Sequence, residues 1–280
     1  MNRSVLAAAA AFLVIGGASP AVTADTDASW DASMAAVLAG DQRGSGRSGT
    51  PNSARDDARH PAETLKYLGL QPDSSVVEIW PSGGWYTEVI APFVAENGQF
   101  YGAHIPGDHE NERFRRGVER YKEKLAANPE VYGNAQVTTM FPGKMALAPE
   151  PVDLILSFRN IHNWMAFGFV DEAFQAFYDA LKPGGILGIV EHRGDPGSEQ
   201  DPKATSGYVT EAYTIMMAEK AGFVLDGSSE INANPKDNHN HPEGVWTLPP
   251  TLRLGDEDRE KYTEIGESDR YTMRFRKPEA

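Results

Sequence analysis

The amino-acid sequence predicts an α/β fold, a mostly parallel seven-stranded sheet with helices on both faces, and three observations support this prediction. Residues 74–94 contain a short apolar segment, a glycine turn and an amphipathic segment, the pattern of a strand, a tight turn and a helix. Strand-like and helix-like segments then alternate to the end of the chain. The K-P-G-G run at residues 182–185 stops a helix before another apolar strand. In such a sheet, ligands bind beyond the carboxyl ends of the strands.

Three segments precede the first predicted strand. Residues 28–40 are amphipathic, and residues 41–53 are rich in Gly, Ser and Arg, which is typical of a flexible linker. Residues 54–68 have helical spacing that is interrupted at Pro61, so we expect a break there or a helix that starts afresh at this proline. The mature chain is thus divided into an N-terminal extension with its linker and one domain, residues 25–53 and 54–280.

The first half of the domain contains three predicted strands. The first, residues 74–79, is β-branched and carries an acid near its end at Glu78. The glycines that follow, Gly83 and Gly84, allow positive φ and a close approach of the backbone to a ligand. The next elements are a helix, a strand, a charged helix with an apolar stripe and a strand, at residues 86–93, 99–105, 111–127 and 135–141.

The second half contains four more predicted strands. Residues 170–181 and 210–221 have helical spacing. The K-P-G-G run stops the first of these helices and Gly222 ends the second. Residues 232–269 are polar and rich in Pro, Gly, Asp and Glu, which predicts a long loop insertion. The four strands are residues 152–158, 186–190, 223–225 and 272–275.

Residues 1–24 have the features of a secretory signal peptide. Arg3 supplies a positive charge, residues 5–15 are apolar, and the small residues Val22 and Ala24 precede the expected cleavage site. The apolar run is shorter than a typical transmembrane helix. We therefore expect a periplasmic or secreted protein with no stable membrane insertion after cleavage; the alternative is an N-terminal membrane anchor.

Composition restricts the class of partner. The chain has 26 basic and 40 acidic residues and a formal net charge of −14. This charge repels nucleic acid and anionic membrane surfaces, so we expect a small-molecule substrate and no nucleic-acid partner. The chain has no cysteine, which excludes disulfides, zinc thiolate sites and a cysteine nucleophile.

Three motifs together resemble the class I S-adenosylmethionine-dependent methyltransferases. They are V-V-E-I-W-P-S-G-G, P-V-D-L-I-L-S-F and L-K-P-G-G-I-L-G-I-V-E, at residues 76–84, 151–158 and 181–191. The chain also resembles a group of exported proteins described as predicted methyltransferases, which share the E-I-W-P-x-G-G-W-Y turn and an R-N-x-H-N-W run. The resemblance implies a Rossmann-like methyltransferase fold, S-adenosylmethionine as cofactor and methyl transfer to a small acceptor.

The resemblance also implies a set of cofactor contacts, namely Glu78, Gly83, Gly84, Trp85, His104, Arg159 and Asn160. Two features depart from the family pattern, in which the turn is E-x-G-x-G-x-G. Trp80 and Ser82 replace two glycines, and His104 stands where the second strand usually ends in an acid that binds the ribose hydroxyls. Asp108, in the following loop, is a candidate to replace that acid.

Polar residues follow the fourth and fifth predicted strands, which we expect to lie side by side. In S-F-R-N-I-H-N-W, residues 157–164, His162 is a candidate general base, and Trp164 is a candidate to stack on a planar substrate or attract a sulfonium charge. Glu191 and His192 follow the fifth strand and predict an acid–base pair or metal ligands. The alternative is a set of polar side chains that satisfy the loop backbone.

Two further clusters are candidates for function. His239 and His241 alternate along the chain, so on an extended segment they would point toward one metal; the alternative is a solvated polar loop. His241 is also a substrate candidate, together with Tyr208. Arg55 and Arg59 precede the first strand in R-D-D-A-R-H, which predicts an exposed charged helix face or, alternatively, a lid over the pocket.

Three functions follow from these observations. The first is an S-adenosylmethionine-dependent methyltransferase in which His162 removes the acceptor's proton. The second is a non-catalytic protein that holds another ligand in the same cleft, which the altered turn and His104 favour. The third is a metal-dependent exported enzyme whose candidate ligands are His162, His192, His239 and His241.

Overall fold

The computed structural model describes residues 20–44, 46 and 50–279. Most of the predicted signal peptide, residues 1–19, and part of the predicted linker lie outside the described residues. Within the described part of the chain, no helix combines the length and the apolar character needed to cross a membrane. Export therefore stays a prediction.

Eight strands form the central sheet. They are β1 (Ser75–Ile79), β2 (Gln99–His104), β3 (Gln136–Phe141), β4 (Lys144–Ala146), β5 (Val152–Phe158), β6 (Leu181–His192), β7 (Val224–Ser229) and β8 (Arg270–Arg276). Their order across the sheet is β4-β3-β2-β1-β5-β6-β8-β7. The expected mostly parallel α/β sheet is confirmed, and each predicted strand overlaps an observed one.

The sheet has eight strands, so the prediction of seven was wrong. The additional strand is β4, which pairs antiparallel with β3 because Gly143, with φ of 72°, turns the chain straight back. Three residues are too few to show the periodicity by which a strand is predicted. β8 is also antiparallel, between β6 and β7, and the other strands run parallel.

The helices lie on both faces of the sheet. They are α1 (Pro20–Leu38), α2 (Asp56–Arg59), α3 (Pro61–Tyr67), α4 (Thr87–Val94), α5 (Glu112–Ala127), α6 (Pro129–Tyr132), α7 (Ile161–Phe167), α8 (Val170–Ala180), α9 (Glu211–Ala221) and α10 (Arg259–Ile265). The expected break at Pro61 is confirmed, because His60 between α2 and α3 has a left-handed backbone. Helix α7 was not predicted.

Alternation of side chains along the strands builds a core on each face. On one face Val77 packs in a cluster that includes Trp164 of α7 and Phe174 of α8, all without exposed surface. On the other, Val76 packs in a cluster that includes Leu65 of α3. Full burial of each such side chain stabilises the fold by about 1.5–3 kcal/mol.

The N-terminal extension packs against the domain. The indole Nε1 of Trp30 donates to the carbonyl of Leu70 at 2.7 Å. Arg43, in the predicted linker, is 1% exposed, forms a two-pronged ion pair with Asp56 and stacks 5.0 Å from the ring centre of Trp85. On the other side of the linker's centre, Nδ2 of Asn52 donates to Glu88 at 2.8 Å, so both described parts of the linker are anchored to the domain.

The predicted insertion, residues 232–269, also packs on the domain and contains α10. Asn232 is buried, and its Nδ2 donates at 2.9 Å to the hydroxyls of Thr64 and Thr272. These contacts join α3, the insertion and β8. The insertion ends directly before β8, at the edge of the sheet where the predicted site residues lie.

Candidate functional site

Four segments meet at the carboxyl edge of the sheet: the residues after β1, β5 and β6 and the first residues of β8. β5 lies between β1 and β6, and His192 of β6 pairs with Arg270 of β8. Asn160 connects two of the segments, because its Nδ2 donates to the carbonyl of Ile79 at 2.9 Å. The doubly wound topology thus brings the predicted catalytic residues to one place.

His162 and Glu191 form a buried pair at this edge. Nδ1 of His162 lies 3.1 Å from Oε1 of Glu191, whose side chain has no exposed surface. The carboxylate also accepts the backbone N–H groups of Ile161 at 2.6 Å and His192 at 2.9 Å. Since the carboxylate can only accept, Nδ1 of His162 carries the proton and Nε2 is the free base; the amide Nδ2 of Asn163 lies 3.0 Å from it.

His192 lies beside this pair, with its ring centre 5.4 Å from that of His162. Its Nδ1 is 2.5 Å from the hydroxyl of Ser268. Burial, reinforced by the positive charges of Arg159, Arg270 and Arg59, lowers the pKa of His192 well below its usual range, so the ring is neutral at pH 7.

The same three side chains have the spacing of a metal site. One ligand atom each from His162, Glu191 and His192 lie within 4.8 Å of one another, the one such group among the described residues. Two neutral imidazoles and a carboxylate would suit zinc or another transition metal. Both oxygens of Glu191 already accept hydrogen bonds, so a metal would have to share or replace them.

The turn after β1 has an unusual backbone. Trp80, Ser82 and Gly84 have φ of 46°, 55° and 78°, although only glycine adopts such values readily. Non-glycine residues in this region cost about 1–3 kcal/mol each, and such strain persists where the surrounding structure enforces it. The alternating left-handed positions coincide with the glycines of the family motif. An added Cβ at Gly83 would meet no atom within 4 Å, so this position is open to a ligand.

Helix α5 contacts the inner side of this turn. Nζ of Lys124 donates to the carbonyls of Gly83 at 2.9 Å and Gly84 at 3.3 Å. Glu78, at the end of β1, accepts the Thr87 hydroxyl at 2.5 Å. Burial raises the pKa of Glu78 to about 7 even though this hydrogen bond favours the charged form. Glu78 therefore fastens β1 to α4 and does not face solvent.

His104, at the end of β2, is bound to the backbone through both ring nitrogens. Nδ1 accepts the N–H of Ile105 at 2.8 Å, and Nε2 lies 3.5 Å from the carbonyl of Ser82. Burial lowers the pKa of His104 to about 4, so the ring is neutral at pH 7. His104 therefore supports the turn after β1 and offers no acceptor to a ligand's hydroxyl groups.

A cluster of arginines lies beside the histidines. Glu267 accepts Nε of Arg55 at 2.7 Å and Nε of Arg59 at 3.2 Å, and its carboxylate lies 3.2 Å from Nη1 of Arg270. Arg59 is 2% exposed, so the interpretation of this segment as an exposed charged face was wrong. Glu267 and Arg270 were not predicted as site residues; the only signal was the acid–base run at the start of an antiparallel final strand.

Comparisons with known proteins agree with this architecture. No family model matches the chain, and no curated protein matches it in sequence. Solved structures do match. A SAM-dependent methyltransferase from Aquifex aeolicus is 17% identical, with a TM-score of 0.51 over 80% of this chain and 93% of that one. The mitomycin 7-O-methyltransferase MmcR is 13% identical, with a TM-score of 0.50 over 81% of this chain and 56% of that one.

The chain has the class I methyltransferase fold. The same fold serves more than one chemistry, because a 4+2 cyclase, SpnF, matches with a TM-score of 0.54 over 89% of this chain and 94% of that one, at 14% identity. The structural similarity establishes the fold. At identities this low the activity has to be argued from the site.

Of the residues expected to contact S-adenosylmethionine in this fold, those of the turn after β1 fit that role and His104 does not. The backbone after β1 keeps the left-handed turn, and Gly83 leaves open space beside it. His104 does not fit the role of the ribose-binding acid, because both of its nitrogens face the backbone. Contact with ribose hydroxyls would fall to Asp108, an exposed carboxylate in the next loop that here pairs with Lys144.

Three of four other predicted ligand contacts have internal partners. Trp164 is fully buried among core aromatic residues, so the expectation that it stacks on a substrate is not met. Trp85 lies between Arg43 and Arg59, and its Nε1 donates to a backbone carbonyl of the extension. Asn160 joins β5 to β1. Arg159 alone of the set is half-buried and has a left-handed backbone, with φ of 61°.

The residues of the long insertion surround one buried carboxylate, Asp237. It accepts the hydroxyl of Tyr208 at 2.9 Å and lies 2.8 Å from Nε2 of His241. His239 instead bridges Asp195 and Asp269, with nitrogen–oxygen distances of 2.6 and 3.3 Å. The two histidines therefore do not converge on one metal as expected, because each is drawn to a different carboxylate.

Proposed function

We propose that the protein is an S-adenosylmethionine-dependent methyltransferase that acts on a small molecule. The observation that carries this proposal is the turn after β1. Two non-glycine residues, Trp80 and Ser82, keep the left-handed backbone at the motif's glycine positions, despite the strain. A turn kept in this shape, with open space at Gly83, supports retention of a ligand against the backbone.

S-adenosylmethionine, when bound, supplies an electrophilic methyl group. The chain's own contribution is proton removal from the acceptor. Nε2 of His162 is the free base of the ring, and the amide of Asn163 is its neighbour. An acceptor hydroxyl or amine would replace that amide, transfer its proton to Nε2 and leave an imidazolium that Glu191 stabilises. Correct positioning of the acceptor would supply most of the remaining acceleration.

Calorimetric titration tests the cofactor. The mature chain from Asp25, freed of metal, is titrated with S-adenosylmethionine and S-adenosylhomocysteine. We expect micromolar binding of at least one, and Gly84→Val should abolish it, because φ there is 78° and Tyr121 and Thr87 lie within 3.3 Å of an added Cβ. Gly143→Val is the matched control, since its φ is 72° and it lies in open space. The proposal fails if millimolar cofactor does not bind.

A metal-dependent enzyme is the second candidate, because His162, Glu191 and His192 bring their ligand atoms within 4.8 Å. Elemental analysis of the purified protein separates it from the first. About one transition-metal ion per chain, lost in His192→Ala, would support it. The ion should be retained in His109→Ala, because His109 lies in the loop after β2 and is not part of this group. Cofactor binding without turnover on any acceptor would instead support a non-catalytic ligand-binding protein.

We also propose export to the periplasm or the exterior. The features of residues 1–24 support it. N-terminal sequencing of the protein recovered from the medium or periplasm should begin at Asp25. An intact N-terminus in a membrane fraction would favour the anchor.

A further inference from the structure

We propose that the arginines at the carboxyl edge, Arg55, Arg59, Arg159 and Arg270, form a binding site for the oxyanion group of a small ligand, a carboxylate or a phosphate. The site adjoins the His162–Glu191 pair. The inference concerns ligand binding and does not depend on methyl transfer.

Charge is unbalanced in this cluster. Four guanidinium groups act on Glu267, and of these Arg55, Arg59 and Arg270 contact it directly. Burial disfavours the charged form of Glu267, yet the arginines outweigh it and hold the pKa of this carboxyl at about 2. One carboxylate thus faces four guanidinium cations, which leaves an excess of positive charge. Buried charge of one sign is costly unless a partner compensates it.

Hydrogen-bond donors in the cluster lack acceptors. Nη1 of Arg59 and Nη2 of Arg55 are buried and have no partner among the described residues. The side chain of Arg59 is only 3% exposed, and one face of its guanidinium is covered by Trp85 at 4.5 Å. Buried donors are nearly always satisfied, so an acceptor is missing here. A carboxylate or phosphate matches the planar fork of donors and would supply both oxygens and charge.

The cluster is accessible and faces the catalytic candidates. Arg55 is 24% exposed at its side chain, and Arg159 is half-buried, so a ligand has a route from solvent. Arg270 pairs with His192 across β6 and β8, and its Nε donates at 3.1 Å to the carbonyl of Ser268, whose hydroxyl lies 2.5 Å from Nδ1 of His192. An oxyanion bound to the cluster would therefore place the rest of its molecule beside the histidines.

The acidity of the whole chain disfavours large anionic ligands. A formal net charge of −14 repels large polyanions from the surface. A small anion with one or two charges is repelled far less, and at the arginine cluster it meets an excess of positive charge. This contrast selects small acids over nucleic acid or anionic membranes.

Calorimetric titration with inorganic phosphate and with succinate tests the site. The mature protein is measured at constant ionic strength in chloride. We expect saturable binding of at least one probe, weakened tenfold or more in Arg159→Gln and Arg59→Gln. Arg276→Gln is the control, because it removes the same charge at the opposite end of β8, where Arg276 pairs with Asp226.

Two further measurements keep the outcome decisive. Arg159 makes no direct ion pair with Glu267, so Arg159→Gln should fold even if Arg59→Gln does not. Glu267→Gln removes the competing carboxylate and should tighten phosphate binding. The absence of saturable binding of both probes, or equal affinities in Arg159→Gln and Arg276→Gln, overturns the proposal.

A third measurement identifies the source of the oxyanion. The titration is repeated with saturating S-adenosylhomocysteine. Unchanged probe binding assigns the site to a separate acidic substrate. Competition, together with weaker cofactor binding in Arg159→Gln, assigns it to the carboxylate of the cofactor itself. If neither S-adenosylmethionine nor S-adenosylhomocysteine binds while phosphate or succinate does, the methyltransferase proposal fails and the oxyanion site stands.

Discussion

Nδ1 of His162 lies 3.1 Å from Oε1 of Glu191, and this carboxylate has no exposed surface. Its other oxygen accepts the N–H of Ile161 at 2.6 Å, which prevents the carboxylate from turning away. A buried carboxylate held in this way fixes the tautomer of a neutral imidazole and stabilises the imidazolium that forms on protonation. The pair is thus arranged for proton transfer at Nε2.

Replacing the proposed base should affect chemistry more than binding. We expect His162→Asn to lower kcat by about 10²–10⁴-fold, the usual contribution of a general base. The dissociation constant for S-adenosylhomocysteine should change less than about threefold, because the ring bonds to Glu191 and Asn163 and to no residue of the turn after β1. Turnover is measured with an acceptor found by screening small acids. Normal turnover combined with a large loss of cofactor affinity would contradict the assignment.

Replacing the orienting carboxylate should affect stability as well. In Glu191→Gln the new amide nitrogen must face the N–H of Ile161 or of His192, which leaves a buried donor unpaired. We expect a loss of about 1–3 kcal/mol in the free energy of unfolding, measured with urea. Glu199→Gln, the same change at an exposed position, should lie within about 0.5 kcal/mol of the unchanged protein. Equal stabilities of the two variants would exclude the pairing described here.

Sequence reasoning was most successful where periodicity and turn chemistry agreed. Residues 74–94 show both, and β1 and α4 lie there as predicted. Helix α7 was missed, although Ile161, Trp164 and Met165 have helical spacing, because its polar residues were interpreted only as loop chemistry. For the same reason Trp164 was predicted to contact a substrate. In the helix its side chain instead points into the core.

The site was predicted in part. The proximity of His162 and His192 follows from parallel strands that end at the same edge. The pairing of Arg59 with Glu267 joins residues 208 positions apart, and no local pattern encodes it. It depends on the antiparallel direction of β8, which brings the start of that strand to this edge. Residue types alone could not distinguish this buried cluster from an exposed charged helix.

Strain at the turn after β1 can be measured by removing it at two positions. Ser82 is exposed and its φ is 55°, so Ser82→Gly should raise the free energy of unfolding by about 0.5–1 kcal/mol. Trp80 has similar strain, but its Nε1 donates to Met140 and its ring packs 5.8 Å from that of Phe169. Trp80→Gly should therefore lower the free energy of unfolding by at least about 2 kcal/mol. Urea unfolding of both variants checks the opposite signs; destabilisation by Ser82→Gly would show that the left-handed backbone carries no strain.

Gly102 in β2 provides the space that Tyr121 of α5 occupies. A Cβ at this position would lie 2.5 Å from Oη of Tyr121, which is 3.0 Å from the Thr87 hydroxyl and has little room to move. We expect Gly102→Ala to destabilise the protein by about 1–3 kcal/mol. Gly117→Ala on α5 is the control, because an added Cβ there meets no atom within 4 Å and should stabilise the helix by about 0.5–1 kcal/mol. An unchanged free energy of unfolding in Gly102→Ala would mean that the side chain of Tyr121 can adopt another conformation.

His239 should make stability depend on pH in a predictable direction. Hydrogen bonding to Asp269 raises the pKa of His239 to about 9, against the opposing effect of burial, and Asp195 and Asp237 add to the rise. Because the folded pKa exceeds the usual value of 6.5, the charged ring stabilises the folded state fully below pH 6.5, and this contribution is lost as pH rises through 9.

The corresponding test compares the unchanged protein with His239→Gln in urea between pH 6 and pH 9.5. The variant should be less stable by about 1–2 kcal/mol at pH 6, a value reduced for the exposure of Asp195, and the difference should shrink toward zero at pH 9.5. Gln keeps the left-handed backbone strain at position 239, so the pH-dependent part of the difference reports the charge. A difference that stays constant with pH would show that the ring is held by packing and not by its two carboxylates.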